Sequence, residues 1–236
     1  MDINNAANDI TDRGREEQAA TIPPTLAEPG LLVMDVDSTL INEEVIDELG
    51  DVAGAGDRIA EVTKRAMNGE IDFAEALRER VALLAGLPLE ACDEVYRRVT
   101  FTPGAHYLID TLHAHGWKVG VVSGGFHEIV DRIAEDAGLD VWTANRLEIV
   151  DGRLTGRLVG DVVTKDVKLA SLRRWAGEYG IPMGQTVAVG DGANDLPMIG
   201  EAALGIAFCA KQCVRDAAPH EIDERNLGKV LDFLHK

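Results

Sequence analysis

Four short, continuous apolar runs, each ending in small or acidic residues, constrain this chain more than any other feature. They are LLVMDV (31–36), WKVGVVSG (117–124), TVAVGDG (186–192) and LGIAFCA (204–210). A strand that is apolar at successive positions must be covered on both faces of its sheet, as parallel strands are. Helical patterns near 104–115, 126–137 and 166–179 separate the runs. Strand, helix, strand repetition predicts an α/β fold with a doubly wound parallel sheet. In such a fold the polar strand ends meet at one edge, where ligands bind.

Residues 42–100 break this rhythm with consecutive amphipathic patterns and no convincing strand. They predict four helices, separated by Gly50, by Asn68-Gly69 and by Pro88. An α-helical insertion after the first strand stands over the carboxyl edge of the sheet, as a cap. A second interruption, RLEIVDGRLTGRL (146–158), predicts a β-hairpin turning at Asp151-Gly152. Residues 1–29 are polar and end in a stretch bearing Pro23, Pro24 and Pro29, which predicts a flexible leader. The organisation expected is therefore leader 1–29, core 30–41 and 101–236, and cap 42–100.

The 236 residues are 46% hydrophobic, enough for a substantial core without disulfide staples. Lys and Arg number 23 against 41 Asp and Glu, a net charge of -18. That field repels nucleic acid and anionic membranes, so neither is expected as a partner. Trp117, Trp142 and Trp175 are too scattered for a base-stacking platform and belong to core or rim. Nowhere do 18 apolar residues run together, and the N-terminus resembles neither a signal nor a transit peptide. Cys92, Cys209 and Cys213 match no common zinc pattern. A reducing, cytoplasmic location is expected.

The strand ends carry the chemistry. The first supplies Asp35 and Asp37, the second Ser123-Gly124-Gly125 before a helix, and the third Gly190-Asp191-Gly192-Ala193-Asn194-Asp195. Taken singly, each has a plain structural use as a turn or helix cap. Four carboxylates converging on one crevice, however, repel one another unless a hard cation sits among them, and oxygen ligands suit magnesium. The serine hydroxyl and the amides at a helix start make an anion site. Lys168 lies in the first turns of the helix after the hairpin.

In this order DVDSTL (35–40), SGG (123–125), Lys168 and GDGAND (190–195) resemble the four motifs of the haloacid dehalogenase superfamily of phosphatases. Over about residues 31–236, DVDSTLINEE, FAEALRERV, VVSGGF, ANRLEIVDGRLTG, VAVGDGAND and IAFCAK further resemble its phosphoserine phosphatase family. The resemblance implies an Mg²⁺-dependent hydrolase of O-phosphoserine that closes serine biosynthesis through an aspartyl phosphate. Asp35 is then the nucleophile and Asp37 the general acid and base. By the same resemblance Mg²⁺ is held by Asp35, Asp191 and the backbone carbonyl of Asp37, with Asp195 close by. Ser123, the Gly124 amide, Lys168 and Asn194 bind phosphoryl oxygens. Lys165 is the rival for Lys168, but lies nearer the hairpin.

Phe73, Leu77, Arg80 and Leu84 share one helix face, which puts Arg80 on the apolar side. A guanidinium there wants a carboxylate, either in an ion pair between cap helices or, as the resemblance implies, on the substrate. The resemblance also gives Glu44 the substrate ammonium and has Met67 and Phe73 close the pocket. Solvated acidic faces are expected at 43–48, Glu44 excepted, and at 131–136, and His127 is expected to be a solvated helix-start residue. Some relatives carry a regulatory amino-acid-binding domain; the residues before Leu31 are too few for one, so feedback through it is not expected. Transfer to an acceptor alcohol such as homoserine is the alternative activity. A dehalogenase has no need of Asp37 to protonate a leaving alkoxide, and a non-catalytic phospholigand module has no need of a nucleophile.

Overall fold

The computed structural model describes residues 24–236. Its strands are β1 (Leu31–Met34), β2 (Lys118–Phe126), β3 (Val141–Val150), β4 (Arg153–Val159), β5 (Thr186–Gly190), β6 (Leu204–Phe208) and β7 (His220–Ile222). Between β1 and β2 come α1 (Val45–Val52), α2 (Gly56–Met67), α3 (Phe73–Ala82), α4 (Glu90–Tyr96) and α5 (Ala105–Ala114). α6 (His127–Ala137) follows β2, α7 (Lys165–Glu178) follows β4, α8 (Leu196–Glu201) follows β5 and α9 (Gln212–Arg215) follows β6.

The strands form one sheet in the order β4-β3-β2-β1-β5-β6-β7. All pairs are parallel except β3 with β4, which reverses through Asp151 and Gly152 at φ 50 and 72. From β1 the chain goes out to β2 and β3 on one side, and β5 and β6 lie on the other. The chain thus changes direction between β1 and β5, which opens a crevice beyond their carboxyl ends.

The four residues of β1 have no exposed surface, as a strand covered on both faces requires. Leu31 and Val33 pack with Leu172 and Trp175 of α7 and Met198 and Ile199 of α8. Leu32 and Met34 point the other way, into the cluster that holds Leu108 and Leu112 of α5 and Ile129 and Ile133 of α6. α7 approaches β2 at Gly120, where an added Cβ would stand 2.7 Å from Val141 Cγ1 and 3.2 Å from Trp175 Cζ3.

The four helices α1 to α4 occupy the insertion, but one expected boundary moves. Gly50 does not end α1. It lies buried within the helix, where an added Cβ would be 2.4 Å from Ile59 Cδ1, so it is small to let α2 approach. The break falls at Ala53–Ala55, with Gly54 at φ 65. The two connections to the core run side by side, with Asn42 N–H donating to the Thr100 carbonyl at 3.0 Å and Thr102 N–H to Leu40 at 2.9 Å. The Glu43 carboxylate accepts the Thr100 N–H at 2.8 Å and its hydroxyl at 2.7 Å. The far end of the insertion is tied to the hairpin by Gly86 N–H to the Leu154 carbonyl and Leu89 N–H to Gly152.

The expectation of a leader over 1–29 needs correction at its end. Residues 1–23 lie outside the described residues, but 24–29 are held in place. His235 N–H donates to the Pro24 carbonyl at 2.9 Å and Leu26 N–H to His235 at 2.8 Å. Buried Gln185 accepts the Thr25 N–H at 2.8 Å and donates to the carbonyls of Thr25 and Glu28. A buried amide must be partnered, and these partners lie far away in sequence, where local composition carries no trace of them.

Two glycines test the packing in opposite directions. Gly120→Ala should cost about 1–3 kcal/mol through overpacking, a fall of about 2–12 °C in Tm. Gly177→Ala, exposed on α7 with open space around it, should gain about 0.4–1 kcal/mol. Thermal denaturation of both variants checks the pair, and a Gly120 variant melting with the parent would contradict the close approach of α7.

Candidate active site

Asp35 follows β1 directly, and its N–H continues the sheet by donating to the Val189 carbonyl at 3.0 Å. Its carboxylate has a donor on each oxygen: the Val36 N–H on Oδ1 at 2.8 Å and Lys168 Nζ on Oδ2 at 2.7 Å. The chain then makes a wide turn over Val36–Leu40, closed by Ile41 N–H to the Val36 carbonyl. Inside that turn Asp37 keeps an extended ψ of 135 and Ser38 is left-handed at φ 54. Asp37 Oδ1 accepts the Val45 N–H at 2.8 Å, and its Oδ2 accepts the Ser123 hydroxyl at 3.3 Å.

Ser123 is fully buried, and its Oγ also accepts the Gly125 N–H at 2.8 Å. The Gly124 carbonyl is held by Asn145 Nδ2 at 2.8 Å, while Asn145 Oδ1 accepts the Val163 N–H at 2.8 Å. Asn145 thereby ties the Ser123 loop to the segment leading into α7. Nothing in its local sequence singles it out, because both partners are backbone atoms distant along the chain.

Lys168 is buried between Asp35 and Asp195, with Nζ at 2.7 Å from each carboxylate, whereas Lys165 is exposed at the start of α7. Asp195 Oδ2 accepts the Gly192 N–H at 3.0 Å. Gly190 permits this, since a Cβ there would lie 2.3 Å from the Asp195 carboxyl carbon. Oxygens of Asp35, Asp191 and Asp195 lie within 4.8 Å of one another.

One ammonium is too little charge for this cluster. Burial holds the Asp35 carboxyl well above the ordinary carboxylate range, against the pull of Lys168 and with Asp195, Asp37 and Asp191 adding to the rise. Burial and then Glu44 push Asp37 up to about 7, against the Val45 amide, Lys168 and Ser123. Burial, Asp195 and Glu44 push Asp191 up to about 6. Burial opposes the charge on Lys168, but Asp195 and Asp35 outweigh it and hold the ammonium above its usual range. Clustered carboxylates that resist ionisation, with only oxygen donors among them, are the donor set a hard divalent cation takes.

Above the cluster, a cavity of about 160 Å³ is lined by Asp35, Asp37, Glu44, Phe73, Leu77, Arg80, Gly124, Asp191 and Asn194. Asp72 caps α3 by accepting the Glu75 N–H, which fixes the helix that presents Phe73, Leu77 and Arg80. Arg80 makes no ion pair among the described residues; it donates to the Ala76 carbonyl at 3.3 Å. Burial lowers its pKa, while Asp47 and then Glu44 favour its charge. Asp47 on α1 is the acidic neighbour that the sequence pattern did not single out. Glu44 accepts the Ser38 hydroxyl at 2.6 Å.

Met67 departs from its expected place. It is 65% exposed and lines a larger outer cleft rather than this cavity, because it is the last residue of α2. Glu44, Phe73, Arg80 and Asn194 border both spaces. His127 is also corrected. It is largely covered, with Nδ1 bonded to Asp131 at 2.6 Å and Nε2 to the Ala144 N–H at 3.2 Å. Asp131 also accepts Trp142 Nε1, so the 131–136 face is not merely solvated.

The parallel sheet, the acidic crevice at its change of direction and the helical insertion over it define a hydrolase class. The model for haloacid dehalogenase-like hydrolases matches residues 32–200, and the chain belongs to this family. The phosphoserine phosphatase of Streptococcus thermophilus is 60% identical over 205 residues, which are 87% of this chain and 95% of that protein. That of Lactococcus lactis is 59% identical over 211 residues, 89% and 98% of the two chains. Among solved structures, a phospho-aspartyl intermediate analogue of phosphoserine phosphatase aligns with a TM-score of 0.83 at 43% identity, covering 88% of this chain and 99% of that one. A substrate-bound phosphoserine phosphatase complex also gives 0.83, at 42% identity and the same coverage.

The raised carboxyls carry a pH prediction. Because their folded pKa values exceed the unfolded ones, Asp37 and Asp191 bind more protons folded than unfolded between about pH 4 and 7. Their ionisation therefore opposes folding as pH rises through that window, and a divalent cation among Asp35, Asp191 and Asp195, which needs the ionised carboxylate of Asp191, relieves part of that cost. Millimolar MgCl₂ added to chelator-treated protein should raise Tm more at pH 7.5 than at pH 5.5. Equal shifts at both pH values would mean that the ion binds elsewhere.

Proposed function

We propose that the chain hydrolyses O-phospho-L-serine to serine and phosphate through an aspartyl phosphate on Asp35. The observation that carries this reading is the pairing of Arg80 with Glu44 in one cavity over the Asp35 carboxylate. A cation and an anion facing one small space match the carboxylate and ammonium of an amino acid, whereas sugar phosphates and nucleotides lack that pair. The family and the named relatives support the same activity.

In this reading Asp35, oriented by the Val36 amide and Lys168, attacks phosphorus in line. Asp37, whose burial favours the protonated carboxyl, gives a proton to the departing serine oxygen. It then takes a proton from the water that opens the intermediate. Its bonds to the Val45 amide and Ser123 aim the carboxyl for both steps. Ser123, the Gly124 amide, Lys168 and Asn194 hold the phosphoryl oxygens and stabilise their charge. Asp35, Asp191 and the Asp37 carbonyl would hold Mg²⁺ with Asp195 beside them, and the ion would offset the repulsion between a dianionic phosphate and an aspartate.

Specificity is assigned to the cap, 42–100, with Arg80 on the carboxylate, Glu44 on the ammonium and Phe73 as a cavity wall. Met67 belongs to the rim of the entrance. Free cysteines, with burial pushing the Cys92 thiol up to about 12, suit the reducing cytoplasm. No helix among the described residues is long and apolar enough to cross a membrane.

Phosphate release from phosphoserine, phosphothreonine, phosphohomoserine, nucleotides and sugar phosphates tests the reading, which expects phosphoserine to lead and chelator to stop it. Asp35→Asn should abolish turnover while substrate still binds. Asp37→Asn should slow phosphoserine far more than p-nitrophenyl phosphate, whose leaving group needs no proton; equal losses would make Asp37 a structural or metal-site residue. Arg80→Ala should cost about 2–5 kcal/mol in kcat/KM for phosphoserine and little further for phosphoethanolamine, which has no carboxylate. Equal losses on both, with a lowered Tm, would return Arg80 to a role inside the cap.

A further inference from the structure

The turn after β1 contains a residue that its own backbone disfavours. Ser38 has φ 54 and ψ 5, a left-handed conformation in which a Cβ crowds the chain and glycine is preferred. The other non-glycine positions of positive φ among the described residues are Asp151, at the hairpin turn, and Cys209. What serine adds over glycine here is one hydroxyl, and that hydroxyl donates to Glu44 Oε1 at 2.6 Å. The Ser38 N–H also donates to the Glu43 carbonyl at 3.2 Å, so the residue grips the entry to the cap twice.

Glu44 needs such a grip. It precedes α1 without making a side-chain cap bond, it is exposed, and it borders both the inner cavity and the outer cleft. Left alone, a long exposed carboxylate samples many rotamers, and a ligand that uses it must bear the loss of that freedom. The Ser38 hydroxyl occupies one oxygen and leaves the other available. Because Ser38 follows Asp37 directly, the same bond sets the spacing between Glu44 and the carboxylates beneath the cavity.

We propose that Ser38 is a positioning residue for ammonium recognition: a strained serine stands where glycine would be relaxed because its hydroxyl holds Glu44 in the orientation that receives the substrate ammonium. This rests on the phosphoserine reading for the identity of the cation.

The test uses Ser38→Gly, Ser38→Ala, Glu44→Gln and the double variants in the full chain. Phosphoserine is compared with 3-phosphooxypropanoate, which keeps the phosphate and carboxylate at the same spacing but lacks the ammonium. Both Ser38 variants should lose about tenfold in kcat/KM for phosphoserine, chiefly in KM, with less than about a twofold change for 3-phosphooxypropanoate. In the Glu44→Gln background neither should lower phosphoserine turnover further, since a residue acting through Glu44 has nothing left to act on. Ser38→Gly should melt about 2 °C or more above Ser38→Ala, as both lack the hydroxyl and only alanine keeps the strain.

Equal losses on the two substrates, losses that multiply with Glu44→Gln, or a selectivity that survives in either variant would each overturn the proposal. A parent inactive on phosphoserine would overturn the underlying reading and this proposal with it. An active parent whose Ser38 variants keep full selectivity would overturn this proposal alone.

Discussion

The carboxyl edge of the sheet depends on one buried ammonium. Lys168 has no exposed surface and binds Asp35 and Asp195 at 2.7 Å each, joining the strand that starts the fold to the loop that follows β5. Without it, buried carboxylates in a low-dielectric crevice would face one another unpaired, which is among the most costly arrangements a fold can hold. Its place is set by packing, because Leu172 and Trp175 follow it at positions 4 and 7 on the same face of α7 and are buried against the sheet. The core thus delivers the lysine to the crevice as a by-product of burying that helix.

The pair leaves the cluster short of positive charge, and that shortage gives the site its chemistry. Asp37 and Asp191 stay hard to ionise, so the site favours a metal ion and keeps one carboxyl able to carry a proton near neutral pH. Asp37 is held from both sides, by the first N–H of α1 and by Ser123 at the end of β2. The Asp37 carboxyl is therefore shared between the inserted helices and the sheet. The insertion in turn meets the core at the paired connections near Asn42 and Thr100 and meets the hairpin at Gly86 and Leu89.

What was legible in the sequence follows from how local each signal is. The doubly covered strands declared themselves as apolar runs, and the hairpin through Asp151-Gly152, because periodicity and turn chemistry are written in adjacent residues. The carboxylates and Lys168 were legible as strand-end and early-helix positions. Gly50 was misread because a glycine that admits a neighbouring helix looks the same in sequence as one that ends its own. His127 and residues 24–29 were misread because Ala144, Gln185 and His235 lie far along the chain. Asn145 was hidden for the same reason, while the place of Met67 was expected from resemblance alone, which does not say where the end of α2 points.

The central claim is that the Asp35 carboxylate, aimed by Lys168 and the Val36 amide, becomes covalently phosphorylated. Acid quenching during turnover of phosphoserine, followed by peptide mapping of the trapped phosphoryl group, tests it most directly. The account predicts an acyl phosphate on the peptide that carries Asp35, labile to hydroxylamine and absent from Asp35→Asn. A phosphoryl group found on Ser123, or full turnover by Asp35→Asn, would contradict it.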